Sequence, residues 1–148
     1  MSNAQSPHLI DEFKSLYHRL DKYTVNESLL SRCYHSDIEF QDPFHTVSGL
    51  PALNHYFMSL YQNVKRIEFE FHQHWLNEQG FVLSWTMQFQ HPRINAGHQV
   101  SVEGISQLTI QDGVIIGHRD FFDGGQLLYE HIPLLGKVIR ALKKRMSQ

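Results

Sequence analysis

The chain has a single cysteine, Cys33, so no internal disulfide can form. It lacks any apolar run near the roughly 20 residues that a membrane-spanning helix needs. It also lacks an excess of charge: thirteen Lys and Arg stand against fifteen Asp and Glu, for a formal net charge of -2. That balance gives no whole-molecule attraction to a phosphate backbone, and nucleic acid is not an expected partner. The opening stretch MSNAQSPH has no basic start followed by an apolar segment, so export is not expected and the cytoplasm is the expected compartment. Internal repeats and low-complexity segments are missing too. What the 148 residues do have is 41% hydrophobic character, enough for one domain with its own core.

After a polar leader, Ser6 and Pro7 read as N-cap and first helical position, and Leu9, Phe13, Leu16, Tyr17 and Leu20 recur at helical spacing. This predicts a helix over residues 7–23. Thr24 and Glu27 have capping-box spacing ahead of a short second helix whose apolar face is Leu29, Leu30, Cys33 and Tyr34. The period then changes to two: Ile38, Phe40 and Asp42 alternate with Glu39 and Gln41 until Pro43 ends the pairing. Ser48-Gly-Leu-Pro opens a third helix with Leu50, Leu53, Phe57 and Leu60 or Tyr61 as its buried stripe. Segments 65–77, 81–91, 98–111 and 114–122 are rich in aromatic and β-branched residues and are separated by NEQG, PRINAG and QDG, which predicts a four-strand antiparallel meander. Gly124-Gly125 ends it, and LLYEHIPLLGKVIRALKKRM returns to helical spacing with a bend at Pro133. The expected class is α+β: a cone-shaped, curved antiparallel sheet wrapped around three N-terminal helices, with an extra C-terminal helix over about 126–146. An apolar pocket is the by-product of such a cone.

The YHSDIEFQDPFH segment after the second helix and the DGVIIGHRDFFDGG ending, in this order of elements, resemble the nuclear transport factor 2-like superfamily. Within it the likeness is to the SnoaL-like branch, which includes polyketide cyclases, limonene epoxide hydrolase and ketosteroid isomerase. It covers about residues 8–126 of what reads as one domain, 1–148. HRDFFD resembles the segment in limonene epoxide hydrolase whose first Asp activates water, and that position is Asp120. The other holders of that water fall on Asp42 and Phe40. The hydrolase's Arg and second Asp fall near Thr86 and Gln88, so its charged relay is absent. Against ketosteroid isomerase, Asp42 lies at the proton-transferring base and Tyr17 close to the oxyanion-holding tyrosine. The isomerase's second oxyanion acid falls near Ile105, with Glu103 two residues away on the same strand face.

Alternation places His118, Asp120 and Phe122 on one face of the last strand, and the resemblance turns that face inward. The expected catalytic set is Asp120 as base or water activator and Asp42 as its carboxylate partner, with Glu103 and Tyr17 assisting. Phe40, Phe57, Thr86, Gln88, His118 and Phe122 are expected to line the pocket. Each has a plainer reading: Asp42 capping a turn before Pro43, Asp120 in an ion pair with Arg119 or His118, Glu103 on the solvent side, Tyr17 in the core. Cys33 reads as a buried thiol. His72 and His74 share a strand face, but no third ligand accompanies them, so no metal is assigned, and no cofactor.

With Thr86 and Gln88 inward, Trp85, Met87 and Phe89 fall outward, and homodimerisation through that outer sheet face is the expected cover. The C-terminal helix joins Leu135, Val138, Ile139 and Leu142 to Lys137, Arg140, Lys143, Lys144 and Arg145. That pattern suits an anionic membrane surface, but the expectation is a helix docked on the barrel with its solvated face outward. The expected function is cofactor-independent acid/base chemistry, of isomerase, cyclase or hydrolase type, on a small apolar cyclic or carbonyl compound. Its rivals are a non-catalytic carrier of a hydrophobic ligand and a dimeric scaffold.

Overall fold

A computed structural model describes residues 6–148, the side chains of Ser6 and Tyr129 excepted. Helix α1 spans Ser6–Arg19 and buries Leu9, Ile10, Phe13 and Leu16, one stripe at three- and four-residue spacing. It stops short of the predicted residue 23 because Asp21 and Thr24 take over the backbone. Asp21 accepts hydrogen bonds from the Tyr23 and Thr24 amides, and the Thr24 hydroxyl donates to the Arg19 carbonyl at 2.7 Å. Thr24 is thus spent on the end of α1, and Asn26 caps α2 (Glu27–Leu30) instead, accepting from the Leu29 amide.

Strand β1 (Tyr34–Gln41) pairs antiparallel with a short β2 (Thr46–Ser48), which the sequence reading did not foresee. Gly49 then enters α3 (Leu50–Asn63) at φ 88°, a left-handed conformation that favours glycine, with Pro51 in the first turn. The buried stripe of α3 is Leu50, Leu53, Phe57 and Tyr61. The meander follows as β3 (Arg66–Leu76), β4 (Gly80–Gln90), β5 (Val100–Gln111) and β6 (Val114–Phe122). Asp112 and Gly113, both at positive φ, form the tight turn between β5 and β6. The chain ends in α4 (Gly124–Leu127), a single 3-10 turn, and α5, Pro133–Met146, which opens on the proline where a bend was expected.

The six strands form one curved, open sheet in the order β2-β1-β6-β5-β4-β3. It is antiparallel except at one seam: β1 runs parallel to β6, with Phe40 beside His118. That seam makes β1 and β6, far apart in sequence, adjacent in space. The core under the helices joins Phe13, Leu30, Ile38 and Leu53 to Phe81, Leu83, Leu108 and Ile115. A second cluster, Trp85, Met87, Phe89, Val100 and Val102, continues along the same inner face. No helix among the described residues is long and apolar enough to cross a membrane.

The placement of β4 corrects the expected one. Phe81, Leu83, Trp85, Met87 and Phe89 point inward and are buried, while Thr86 and Gln88 point outward, toward His72 and Ser101. The apolar alternation is continuous from Phe81 and follows the core, as a half-buried strand must. On β5, Glu103 pairs with Thr86 and is exposed on the outer face. The apolar trio that was expected to need a partner subunit is therefore already covered within the chain.

Candidate functional site

A cavity of about 150 Å³ opens on the inner face of the sheet. Its wall is mostly apolar, with Phe40, Phe57, Phe69, Trp85, Met87 and Phe122 prominent, and Tyr17, Tyr56, Asp42 and Asp120 contribute polar atoms. Of the residues singled out in the sequence, Asp120, Asp42, Tyr17, Phe40, Phe57 and Phe122 all meet here. Thr86, Gln88 and Glu103 do not, for the reason of strand parity given above. His118 lies immediately behind Asp120.

Asp120 is the centre of the polar arrangement. Its Oδ1 accepts from the Ser106 hydroxyl at 2.5 Å and faces His118 Nε2 at 2.6 Å. Ser106 on β5 stands directly opposite Asp120 on β6, and its Oγ accepts from the indole N–H of Trp85 at 2.9 Å. The indole can reach because residue 104 is glycine: a Cβ there would meet the ring of Trp85 at 2.4 Å. On the other side, His118 Nδ1 lies 2.8 Å from the Tyr34 hydroxyl, which lies 2.7 Å from that of Tyr17. The chain Tyr17–Tyr34–His118–Asp120–Ser106–Trp85 is thus continuous, and the His118 side chain within it is 1% exposed, packed among Phe13, Tyr34 and Phe40.

The direction of the chain follows from donor and acceptor counting. An ionised Asp120 only accepts, so His118 Nε2 and Ser106 both donate to it. With the imidazole neutral, Nδ1 must then accept from Tyr34, and Tyr34 from Tyr17. With the imidazole protonated, Nδ1 donates to Tyr34, Tyr34 donates to Tyr17, and the hydroxyl hydrogen of Tyr17 is released toward the cavity it lines. Burial is the main cause that pushes the phenols of Tyr17 and Tyr34 well above their ordinary range, with the charge of Asp120 adding to it. Both rings act as neutral hydroxyls. All the hydrogen bonds of the Asp120 carboxylate among the described residues fall on Oδ1, which leaves Oδ2 as the open acceptor of a residue that lines the cavity.

Asp42 is occupied differently. Its Oδ1 accepts from the amides of Phe44 and His45, and its Oδ2 accepts from the Tyr56 hydroxyl at 2.6 Å. These bonds fold the turn after Pro43 and hold Tyr56 at the cavity wall, with the His45 ring 4.8 Å away. Burial, then Asp42, pushes the Tyr56 phenol up. Burial likewise raises the Cys33 thiol to about 12, so it is an inert core thiol.

Ser106, Tyr34, Tyr56, His45 and Trp85 were not singled out as site residues from the sequence. Ser106 had one usable signal: it is a lone polar residue in phase with Val100, Val102, Leu108 and Ile110, all buried. His72 shares a hydrogen bond with Thr86 on the outer face, and among the described residues no group of three or more His, Cys, Asp or Glu is placed to hold a metal ion.

Three solved structures illustrate the likeness of the fold. TsrD from Streptomyces laurentii is 18% identical, with 83% of this chain and 91% of that one covered at a TM-score of 0.64. A putative SnoaL-like polyketide cyclase from Jannaschia sp. CCS1 is 14% identical over 83% of this chain and 90% of its own, at 0.67. A hypothetical protein with a ketosteroid isomerase-like fold from Catenulispora acidiphila DSM 44928, in complex with trimethylamine, is 9% identical over 87% and 95%, at 0.70. Among curated proteins, none matches the sequence. Residues 13–118 match the model of the SnoaL-like domain, and the chain, with its six-stranded curved sheet and helix-lined cavity, belongs to the SnoaL-like family.

Proposed function

We propose that this protein is a cofactor-independent acid/base enzyme that moves a proton on a small apolar ring compound bearing a carbonyl group. The observation that carries the reading is the Asp120 carboxylate on the wall of a mostly apolar cavity: one oxygen is held by Ser106 and His118, and the other has no hydrogen bond among the described residues. Two donors on Oδ1 fix the plane of the carboxyl group, so Oδ2 can take a proton from a substrate without reorientation. The proton comes from a carbon next to the carbonyl, and the electron pair it leaves moves onto the carbonyl oxygen. Tyr17, when the hydroxyl chain runs outward from His118, donates to that oxygen. Return of the proton from Asp120 to a different carbon of the same conjugated system completes an isomerisation with no group gained or lost.

Size narrows the substrate. A cavity of about 150 Å³ is of the order that accepts one benzene-sized ring, well below the roughly 300 Å³ or more of sites for larger ligands. One-ring ketones are therefore the class to test. A panel of cyclic ketones and enones incubated with the protein in heavy water, followed by proton NMR, reads exchange next to the carbonyl without knowledge of the final product. Exchange should be accelerated by the native chain and fall by about 100-fold or more in Asp120→Asn, the usual range for a lost general base. Equal exchange in both would remove Asp120 from the chemistry.

A carrier of an apolar ligand is the second reading. It draws on Asp42, whose two oxygens are both engaged, so the cavity offers a single open acid rather than a pair.

A further inference from the structure

Helix α5 meets the rest of the chain with the wrong side. Its sequence places Leu134, Leu135, Val138, Leu142 and Met146 on one arc with Ile139 at its edge and Arg145 between Leu134 and Val138, and Lys137, Arg140, Lys143 and Lys144 on the opposite one. A helix packed on a domain core normally buries the apolar arc. Here the contact is made by the basic side. Gly136 is buried against the Glu130 carbonyl, where a Cβ would come within 2.3 Å of the oxygen. Arg140 donates to that same carbonyl at 2.6 Å, and Lys143 bridges Asp123 and Glu130 at 3.3 and 3.0 Å. Most of the apolar arc is turned to solvent: Leu134 is 77%, Leu142 54% and Met146 87% exposed, with Ile132, Leu135 and Val138 also exposed and Ile139 half-buried at the edge.

Charge says what fits that arc. The helix carries five of the thirteen basic residues and none of the fifteen acidic ones, so a chain of net charge -2 has its positive charge concentrated in its last element. An exposed apolar stripe on a helix whose charged residues are all lysine and arginine is the pattern of a helix lying flat in the headgroup layer of an anionic bilayer. The acidic remainder of the molecule is repelled by the same surface, which leaves one orientation, helix down. We propose that α5 is a docking element for an anionic phospholipid membrane. Its place in the fold adds a consequence: Leu127, in the segment that leads into α5, lines the cavity, so the docked helix holds the cavity beside the lipid. The docking surface stands independently of any chemistry at Asp120.

The test is sedimentation of the full chain with vesicles of phosphatidylcholine alone and with phosphatidylglycerol added, alongside its mass in solution without vesicles. The native chain should bind the phosphatidylglycerol vesicles, bind phosphatidylcholine poorly, and lose affinity as salt rises. Lys137→Gln and Lys144→Gln should each weaken binding roughly fivefold. The triple change Leu135→Glu, Val138→Glu, Leu142→Glu should abolish it with the circular dichroism of the sheet unchanged, while Asp120→Asn should bind like the native chain. No preference for phosphatidylglycerol would overturn the proposal. So would a native dimer that the triple variant converts to monomer, because the stripe would then be covered by a second copy.

Discussion

Ser106 joins two functions through one oxygen atom, accepting from Trp85 and donating to Asp120. Replacing it with alanine strands a buried indole N–H and removes one of two clamps on the carboxylate. Ser106→Ala should therefore cost about 1–3 kcal/mol of stability, measurable by denaturant titration, and shift the tryptophan emission of Trp85. The phenols give a second prediction. Tyr17, Tyr34, Tyr56 and Tyr61 all have burial as the first cause holding their protons on well above the ordinary tyrosine value. A raised folded value means that folding favours the neutral form. That stability is fully present below the unfolded value near pH 10 and is lost as pH climbs toward the folded values. Absorbance at 295 nm should show these four ionising only together with alkaline unfolding. At this scale Asp120 was legible, through the resemblance of HRDFFD and the alternation that sets His118, Asp120 and Phe122 on one face. Its partners were not, because Ser106 and Tyr34 reach it across strands, and cross-strand register is absent from a linear pattern.

Strand parity decides most of what happens at the scale of elements. On β4 the likeness to a relay this chain lacks sets the polar pair Thr86 and Gln88 inward, and a shift of one residue reverses every side chain. The unbroken alternation from Phe81 to Phe89 carried the correct answer, since the inner face must be the apolar one. The same shift moved Glu103 out of the site and left Ser106 in it. Gly104 is the local reason this packing is allowed. Gly104→Ala should push the Trp85 ring off Ser106 at a cost of about 1–3 kcal/mol, seen as a lower midpoint of thermal unfolding and altered tryptophan fluorescence. The anchor of α5 is electrostatic and exposed. Burial works to raise Asp123, but the Gln126 and Gly125 amides and Lys143 outweigh it and hold the carboxyl below its usual range. A lowered folded value gives support that is present above the ordinary carboxylate value and lost as pH falls through the folded one. The protection of amides in residues 133–146 against hydrogen exchange, taken relative to intrinsic rates at each pH, should thus fall at acid pH before that of the sheet does.

Across the whole molecule, three segments distant in sequence converge on one small space. Helix α1 brings Tyr17, β1 brings Tyr34 and Phe40, and the β5–β6 hairpin brings Ser106, His118 and Asp120. The parallel seam between β1 and β6 makes the meeting possible, and the glycine turn at Asp112-Gly113 fixes the hairpin that carries it. Element order and the meander were readable because hydrophobic period and turn residues are local signals. The seam and the reversed helix α5 were not, since both depend on what the elements meet. The proposed chemistry requires Asp120 to act as a base rather than as a binding group. The most direct measurement pairs, for native chain and Asp120→Asn, the rate of hydrogen exchange in a one-ring ketone with the Kd of the same compound. With Asp120 as the base, the variant's rate is lower by about 100-fold or more and its Kd changes only a few-fold. A Kd that rises while the rate on bound compound stays the same would contradict that role and leave a carrier.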